Sequence, residues 1–126
     1  MTSIFENTRN PVIIYILHDE TLTEDNKNKF IRTAEKYNQK IDLIDVTERV
    51  KKLPKYMTEF FATKVATIGT FYKIFMFDTF SNISKIIYLD CDIVVNLDIK
   101  ELWEIDITGY CNIYFPQFFY IKIHNN

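Results

Sequence analysis

The residues best suited to chemistry in this chain are Asp90, Cys91 and Asp92. They close an apolar run, Ile86-Ile87-Tyr88-Leu89, and a second run, Ile93-Val94-Val95, follows them. Two carboxylates two residues apart at the end of a buried strand make a pair of hard oxygen donors. Such donors suit Mg²⁺ or Mn²⁺, ions that in turn hold phosphate or pyrophosphate. Ligands of open α/β sheets bind at the carboxyl ends of the strands. Two carboxylates buried there without a cation would be costly. A lone Asp-x-Asp is common by chance, so its meaning depends on the elements that position it.

Those elements read as an alternation of strands and helices. Residues 1–10 look like a helix end followed by the polar turn Glu6-Asn7-Thr8-Arg9-Asn10-Pro11. The continuous apolar run from Val12 to Leu17 has strand length and the character of a strand covered on both faces. Thr23 is a good N-cap, and Glu24 and Asp25 complement the helix dipole behind it. The helix runs to about Asn38, with Phe30, Ile31, Ala34 and Tyr37 on one face. Ile41 to Val46 is a second strand. Residues 47–54 form a short helix or loop, and 57–66 is ambiguous. The aromatic run Phe71, Tyr72, Phe75, Phe77, Phe80 fits a helix within 70–80 packed in the core. Ile86 to Leu89 is the third strand, and Asp98 caps a short helix in which Leu102 and Trp103 serve the core. The order predicts an α/β fold with a parallel sheet. From 113 onward neither helical period nor alternation is present.

Size and composition limit the alternatives. A chain of 126 residues is one domain, and 48% hydrophobic against 25% charged residues makes it globular. Two Gly and three Pro argue against a turn-rich barrel or sandwich. A net charge of −2 without a basic stripe speaks against nucleic acid as a partner. No apolar run reaches the length of a membrane span, and a polar, acidic start is unlike a signal peptide. Cys91 and Cys111 are too few for a disulfide framework. They read as small packed residues in a reduced, cytoplasmic protein, with peripheral membrane association left open. His18 ends a strand without a second ligand nearby in sequence, and reads as a capping or surface histidine.

The stretch Thr70-Phe-Tyr-Lys73-Ile-Phe, followed by Ser84-Lys-Ile-Ile-Tyr-Leu-Asp90-Cys-Asp92-Ile-Val-Val-Asn-Leu-Asp98-Ile-Lys-Glu-Leu-Trp103, closely resembles glycosyltransferase family 8. This family includes lipopolysaccharide galactosyltransferases and glycogenin. Ile13 to Asp19 and Glu24 to Arg32 resemble the family's second strand and the helix after it. The resemblance covers roughly residues 3 to 110 and is most specific over 70–103. It implies a GT-A fold, present here as a single partial domain over 1–126 with an atypical tail at 113–126. It also implies retaining transfer of a hexose from a UDP-sugar to a glycan or lipopolysaccharide-type acceptor. By that resemblance Asp90 and Asp92 bind Mn²⁺ (or Mg²⁺) bridging the donor pyrophosphate, and Cys91 lies against the donor. Lys73, seventeen positions before the motif, stands where the family usually has Arg. Lys keeps the charge but loses the planar fork.

The chain departs from the family in other ways. Phe77 and Ser81 stand where prolines are common, and His124 lacks the context of the family's third metal ligand. The strand and helix that contact the nucleotide base would precede Met1, and the acceptor-binding half would follow the chain. Both are expected to be missing, leaving an isolated chain without transferase activity. In the family's sheet the first strand lies between those matching 12–17 and 86–89. The resemblance therefore implies two facing open edges, closed by direct pairing, by a borrowed strand, or by self-association. Two other functions compete. Asp90-Cys-Asp92-Ile-Val94 loosely fits the nucleophile motif of a HAD-type phosphatase, although only 32 residues follow Val94. A non-enzymatic remnant or interaction module is the other.

Overall fold

The run from Val12 to His18 must be covered on two faces, and the computed structural model shows how. It describes residues 1–62, 72–89, 91–108 and 119–123. The elements are α1 (Thr2–Asn7), β1 (Val12–His18), α2 (Glu24–Lys36), β2 (Lys40–Asp45), α3 (Thr47–Lys51), α4 (Lys55–Ala62), α5 (Tyr72–Thr79), β3 (Ile87–Leu89), α6 (Ile99–Trp103) and β4 (Phe119–Ile123). Val12, Ile14 and Ile16 of β1 join Ile4, Phe5, Ala34, Ile87, Leu89 and Ile99 in one apolar cluster, under α1, α2 and α6. Tyr15 and Leu17 join Val46, Val50, Tyr72, Phe75 and Phe80 in a second, under α3 and α5. Alternation along a strand sends successive side chains to opposite faces, so one strand nucleates both cores.

Local signals end α2 where the sheet needs it. Thr23 accepts from the Asn26 amide at 3.3 Å, the expected N-cap. At the other end Asn38 takes a left-handed φ of 51°. The Asn38 and Gln39 amides donate back to Glu35 and Ala34 at 3.0 and 2.9 Å, a Schellman closure. This turn delivers Gln39 to β1, where its Oε1 accepts from the Val12 amide at 2.8 Å. Ala34 and Tyr37 face the core as expected, while Ile31 stays 39% exposed at the margin of the stripe.

β1 and β2 pair in parallel from Ile13↔Lys40 to His18↔Asp45. The strand order is β2-β1-β4-β3, so the α/β class holds and the three expected strands share one sheet. The difference is β4. No periodicity announces a strand in the tail, yet 119–123 lies between β1 and β3, antiparallel to both. β1 and β3 therefore run in the same direction with one reversed strand between them. Between β1 and β3, where direct pairing or a borrowed strand was expected, residues 119–123 of the same chain pair with both. Both neighbouring edges carry backbone groups that need partners, and the aromatic and β-branched residues of 119–123 suit a strand that meets them. At the outer edge, β2 exposes Lys40, Asp42 and Asp45, charges that discourage edge-to-edge association. The ambiguous stretch is helical through Ala62 in α4, and the expected helix at 70–80 is observed over 72–79. The remainder of the first stretch (63–66), and residues 70 and 71, lie outside the described residues.

Because Ile121 pairs with both Ile14 and Ile87, Ile121→Pro should remove a ladder hydrogen bond at the sheet's centre and lower stability by about 1–3 kcal/mol. Hydrogen exchange at residues 13–16 and 87–89 checks this. Slow exchange in the wild type should become fast in the variant, and equal protection in both would show that β4 does not hold the sheet.

Candidate functional site

The carboxyl ends of β1, β2 and β3 form one rim. Ile14 of β1 and Ile87 of β3 share the partner Ile121. Asp19 lies five residues beyond Ile14, and Asp92 five beyond Ile87. The two strands are two positions apart in the sheet, a spacing of about 10 Å where they share that partner. His18 and Asp45, paired at the ends of β1 and β2, belong to the same rim.

Cys91 and Asp92 sit in the turn that leaves β3, and both are exposed. The expectation of a packed Cys91 is thereby corrected: the chain leaves the sheet at this point and turns the thiol outward. Asp90 and Cys111 lie outside the described residues. The segment after the motif is fastened to the N-terminal helix. The Asn7 side-chain amide donates to the Val95 carbonyl at 2.9 Å, and the Val95 amide donates to Ser3 Oγ at 3.1 Å. The Ile99 amide donates to Thr8 Oγ1 at 3.3 Å in a buried setting. Asp98 caps α6 through the Lys100 amide at 3.0 Å, and so acts as a cap, as expected. From the other side Lys85 donates to the Trp103 and Ile105 carbonyls and lies over the Trp103 ring at 5.4 Å. Leu102 and Trp103 pack on the core. The amino group of Met1 is half-buried near the motif. Burial lowers its pKa, and the Cys91 sulfur partly opposes this.

The other end of the rim is a buried polar cluster that spacing alone did not reveal. Asp19 accepts from the Thr21 amide at 2.9 Å and the Thr21 hydroxyl at 2.6 Å. The Tyr72 hydroxyl at the start of α5 also bonds to it. Burial pushes the Asp19 pKa up, but the bonds from Thr21 and Tyr72 outweigh it and hold the carboxyl below its ordinary value. The Tyr72 phenol is pushed far up, first by burial and then by its bond to the Asp19 carboxylate. His18 is also buried, at 7% exposure, with Nδ1 3.0 Å from the Asp19 carbonyl. This corrects the surface reading of His18: the Val46 amide bonds its carbonyl at 2.8 Å and the chain folds over it. Fifty-three positions separate Asp19 from Tyr72, and no local pattern could have joined them.

Lys73 is the second residue of α5, so its backbone begins at this rim, while its side chain lies outside the described residues. His124 is outside them as well. Among the described residues no three of His, Cys, Asp and Glu stand close enough to hold a metal ion. The exposed Asp92 carboxylate has the oxygen chemistry a hard cation takes. Completing such a site would require Asp90 and oxygens from a bound phosphate.

An α/β sheet with Asp19, Asp45 and Asp92 near the carboxyl ends of its strands is the class of fold in which ligands meet that edge of the sheet. Comparison with known proteins narrows the class. The profile of Glycosyl transferase family 8 matches residues 1–124, and the chain belongs to that family. A Haemophilus influenzae protein named "Putative glycosyltransferase" is 31% identical over 109 residues, which are 86% of this chain and 31% of that protein. General stress protein A of Bacillus subtilis is 30% identical over 101 residues, 79% of this chain and 33% of that one. The UDP-glucose:glycoprotein glucosyltransferase of Drosophila melanogaster is 30% identical over 118 residues, 92% of this chain and 7% of that one. The chain thus spans about a third of the length of the bacterial relatives. No solved structure matches it significantly.

A buried Asp with a lowered pKa stabilises the fold at neutral pH. That contribution is fully present above the ordinary carboxylate range and is lost as pH falls through the folded-state value. Urea unfolding of the wild type and Asp19→Asn should show the wild type more stable at pH 7, with the gap closing below about pH 4. A gap unchanged down to pH 2 would mean that ionisation of Asp19 is not what the cluster stabilises.

Proposed function

We propose that this domain holds the diphosphate end of a nucleotide-sugar, a UDP-hexose, for retaining transfer of the hexose to a glycan or lipopolysaccharide-type acceptor. The supporting observation is the conjunction of the family match, which spans Asp90-Cys91-Asp92, with the position of the motif's turn at the carboxyl end of β3. Asp90 and Asp92 are the proposed ligands for Mn²⁺ or Mg²⁺. When bound, that ion would offset the charge that develops on the departing nucleoside diphosphate. Cys91, exposed between the two, is assigned to the donor surface. Lys73 is assigned to the donor as a cationic contact that attracts phosphate without a bidentate fork. The tie from α1 and the clasp of Lys85 would keep the motif turn in place while the ligand changes. Family membership leaves the phosphatase reading without support. We place the domain in the cytoplasm, where an exposed thiol persists. Among the described residues no helix is long and apolar enough to cross a membrane.

Two measurements test this reading. Calorimetry with UDP in the presence of Mn²⁺ should show binding to the wild type and binding at least about tenfold weaker to Asp92→Ala, the scale of a lost charged contact. Equal affinities would remove the motif from the site. The 126 residues alone are proposed not to transfer sugar at a useful rate, because holding both reactants supplies roughly 7–11 kcal/mol of barrier reduction and the acceptor is assigned no residues here. Incubation with UDP-glucose or UDP-galactose and Mn²⁺ should release no more UDP than a blank. Sustained release that Asp90→Asn abolishes would overturn the inactivity.

A further inference from the structure

We propose that Tyr72 is a positioning residue: its bond to Asp19 fixes the first turn of α5, and with it the backbone at Lys73, against the carboxyl rim of the sheet. The inference rests on the assignment of Lys73 to the nucleotide diphosphate. α5 lies on the sheet through Tyr72, Phe75, Met76 and the following Phe80, whose ring meets Tyr15 edge-on at 5.0 Å. Apolar contact of this kind is non-directional. It sets the height of a helix above a sheet but restrains sliding and rotation weakly. Directional bonds stand at both ends of α5. At its C-terminal end Arg49 Nη1 donates to Thr79 Oγ1 at 2.6 Å. At its N-terminal end the Tyr72 hydroxyl meets Asp19, itself held by the amide and the hydroxyl of Thr21.

The two partners at the N-terminal end are 8% exposed each. An acceptor so enclosed, with its donors already in place, gives the phenol one geometry. The position of the next residue follows, because one peptide unit joins it to Tyr72 within the same helical turn. Tyr72 therefore acts on a ligand through Lys73, and Tyr72→Phe, which keeps the ring, should loosen that placement while leaving the apolar packing.

The test is a double-mutant cycle read by calorimetry of UDP in saturating Mn²⁺, using the 126-residue chain. The variants are Tyr72→Phe, Lys73→Met and the two together, each checked by circular dichroism for native secondary structure. Lys73→Met is expected to weaken UDP binding about tenfold and Tyr72→Phe about threefold, with the double variant no weaker than Lys73→Met alone. If Tyr72→Phe does not fold, Asp19→Asn takes its place in the same cycle. A loss in Lys73→Met combined with no loss in Tyr72→Phe, or with losses that multiply, overturns the positioning role and leaves the donor assignment standing. Unchanged affinity in Lys73→Met, or no UDP binding by the wild type, overturns both.

Discussion

β4 joins two parts of this sheet that do not pair with each other. On one side it binds β1 over four residue pairs, and on the other β3 over three. β1 anchors both apolar clusters, whereas β3 carries the Asp-x-Asp turn. The spacing between β1 and β3 is therefore set by the width of one intervening strand. Each neighbour offers backbone donors and acceptors facing an apolar interior, where an unmet group costs about 1–3 kcal/mol. That cost draws a strand from a segment without strand periodicity. The cost calls for a ladder of hydrogen bonds without fixing its direction, since either polarity supplies one.

Among the described residues, the rim built on this sheet has one side fastened by hydrogen bonds and an exposed turn beside it. Side chains of α1 and the turn after it hold the backbone of residues 95–99, and Lys85 closes the chain back onto the carbonyls beyond α6. The motif turn between these fastenings stays exposed. Such an arrangement suits a site that must take up a charged ligand, because the scaffold meets the ordering cost before the ligand arrives. The buried cluster of His18, Asp19 and Tyr72 does the opposite work. Its groups are enclosed and bonded to one another, and they join β1 to α5.

Membership of family 8 and the local structure agree at the level where both speak. The matched residues include the strands, the motif and the capped helix after it. The domain is nevertheless about a third of the length of its bacterial relatives. Joining two reactants demands that both be held in register, so the proposed donor site is one part of what group transfer requires.

Sequence alone determined the elements whose signals are local. The apolar run at 12–17, the Thr23 cap, the capping Asp98 and the aromatic spacing at 72–80 each state their structure within a few residues, because burial and capping act over one or two turns. The motif Asp90-Cys91-Asp92 and its family were legible for the same reason: they are contiguous. Tertiary structure decided what depends on distant partners. The β-forming residues Phe119, Tyr120, Ile121 and Ile123 permit a strand, but that it lies between β1 and β3, antiparallel to both, is decided by pairing with distant segments. That His18 is buried follows from the chain closing over the end of β1, and that Cys91 is exposed follows from the chain leaving β3 there. The bond between Asp19 and Tyr72 exists because two segments fifty-three positions apart pack on the same face of one sheet, a relation that no local pattern in the sequence encodes.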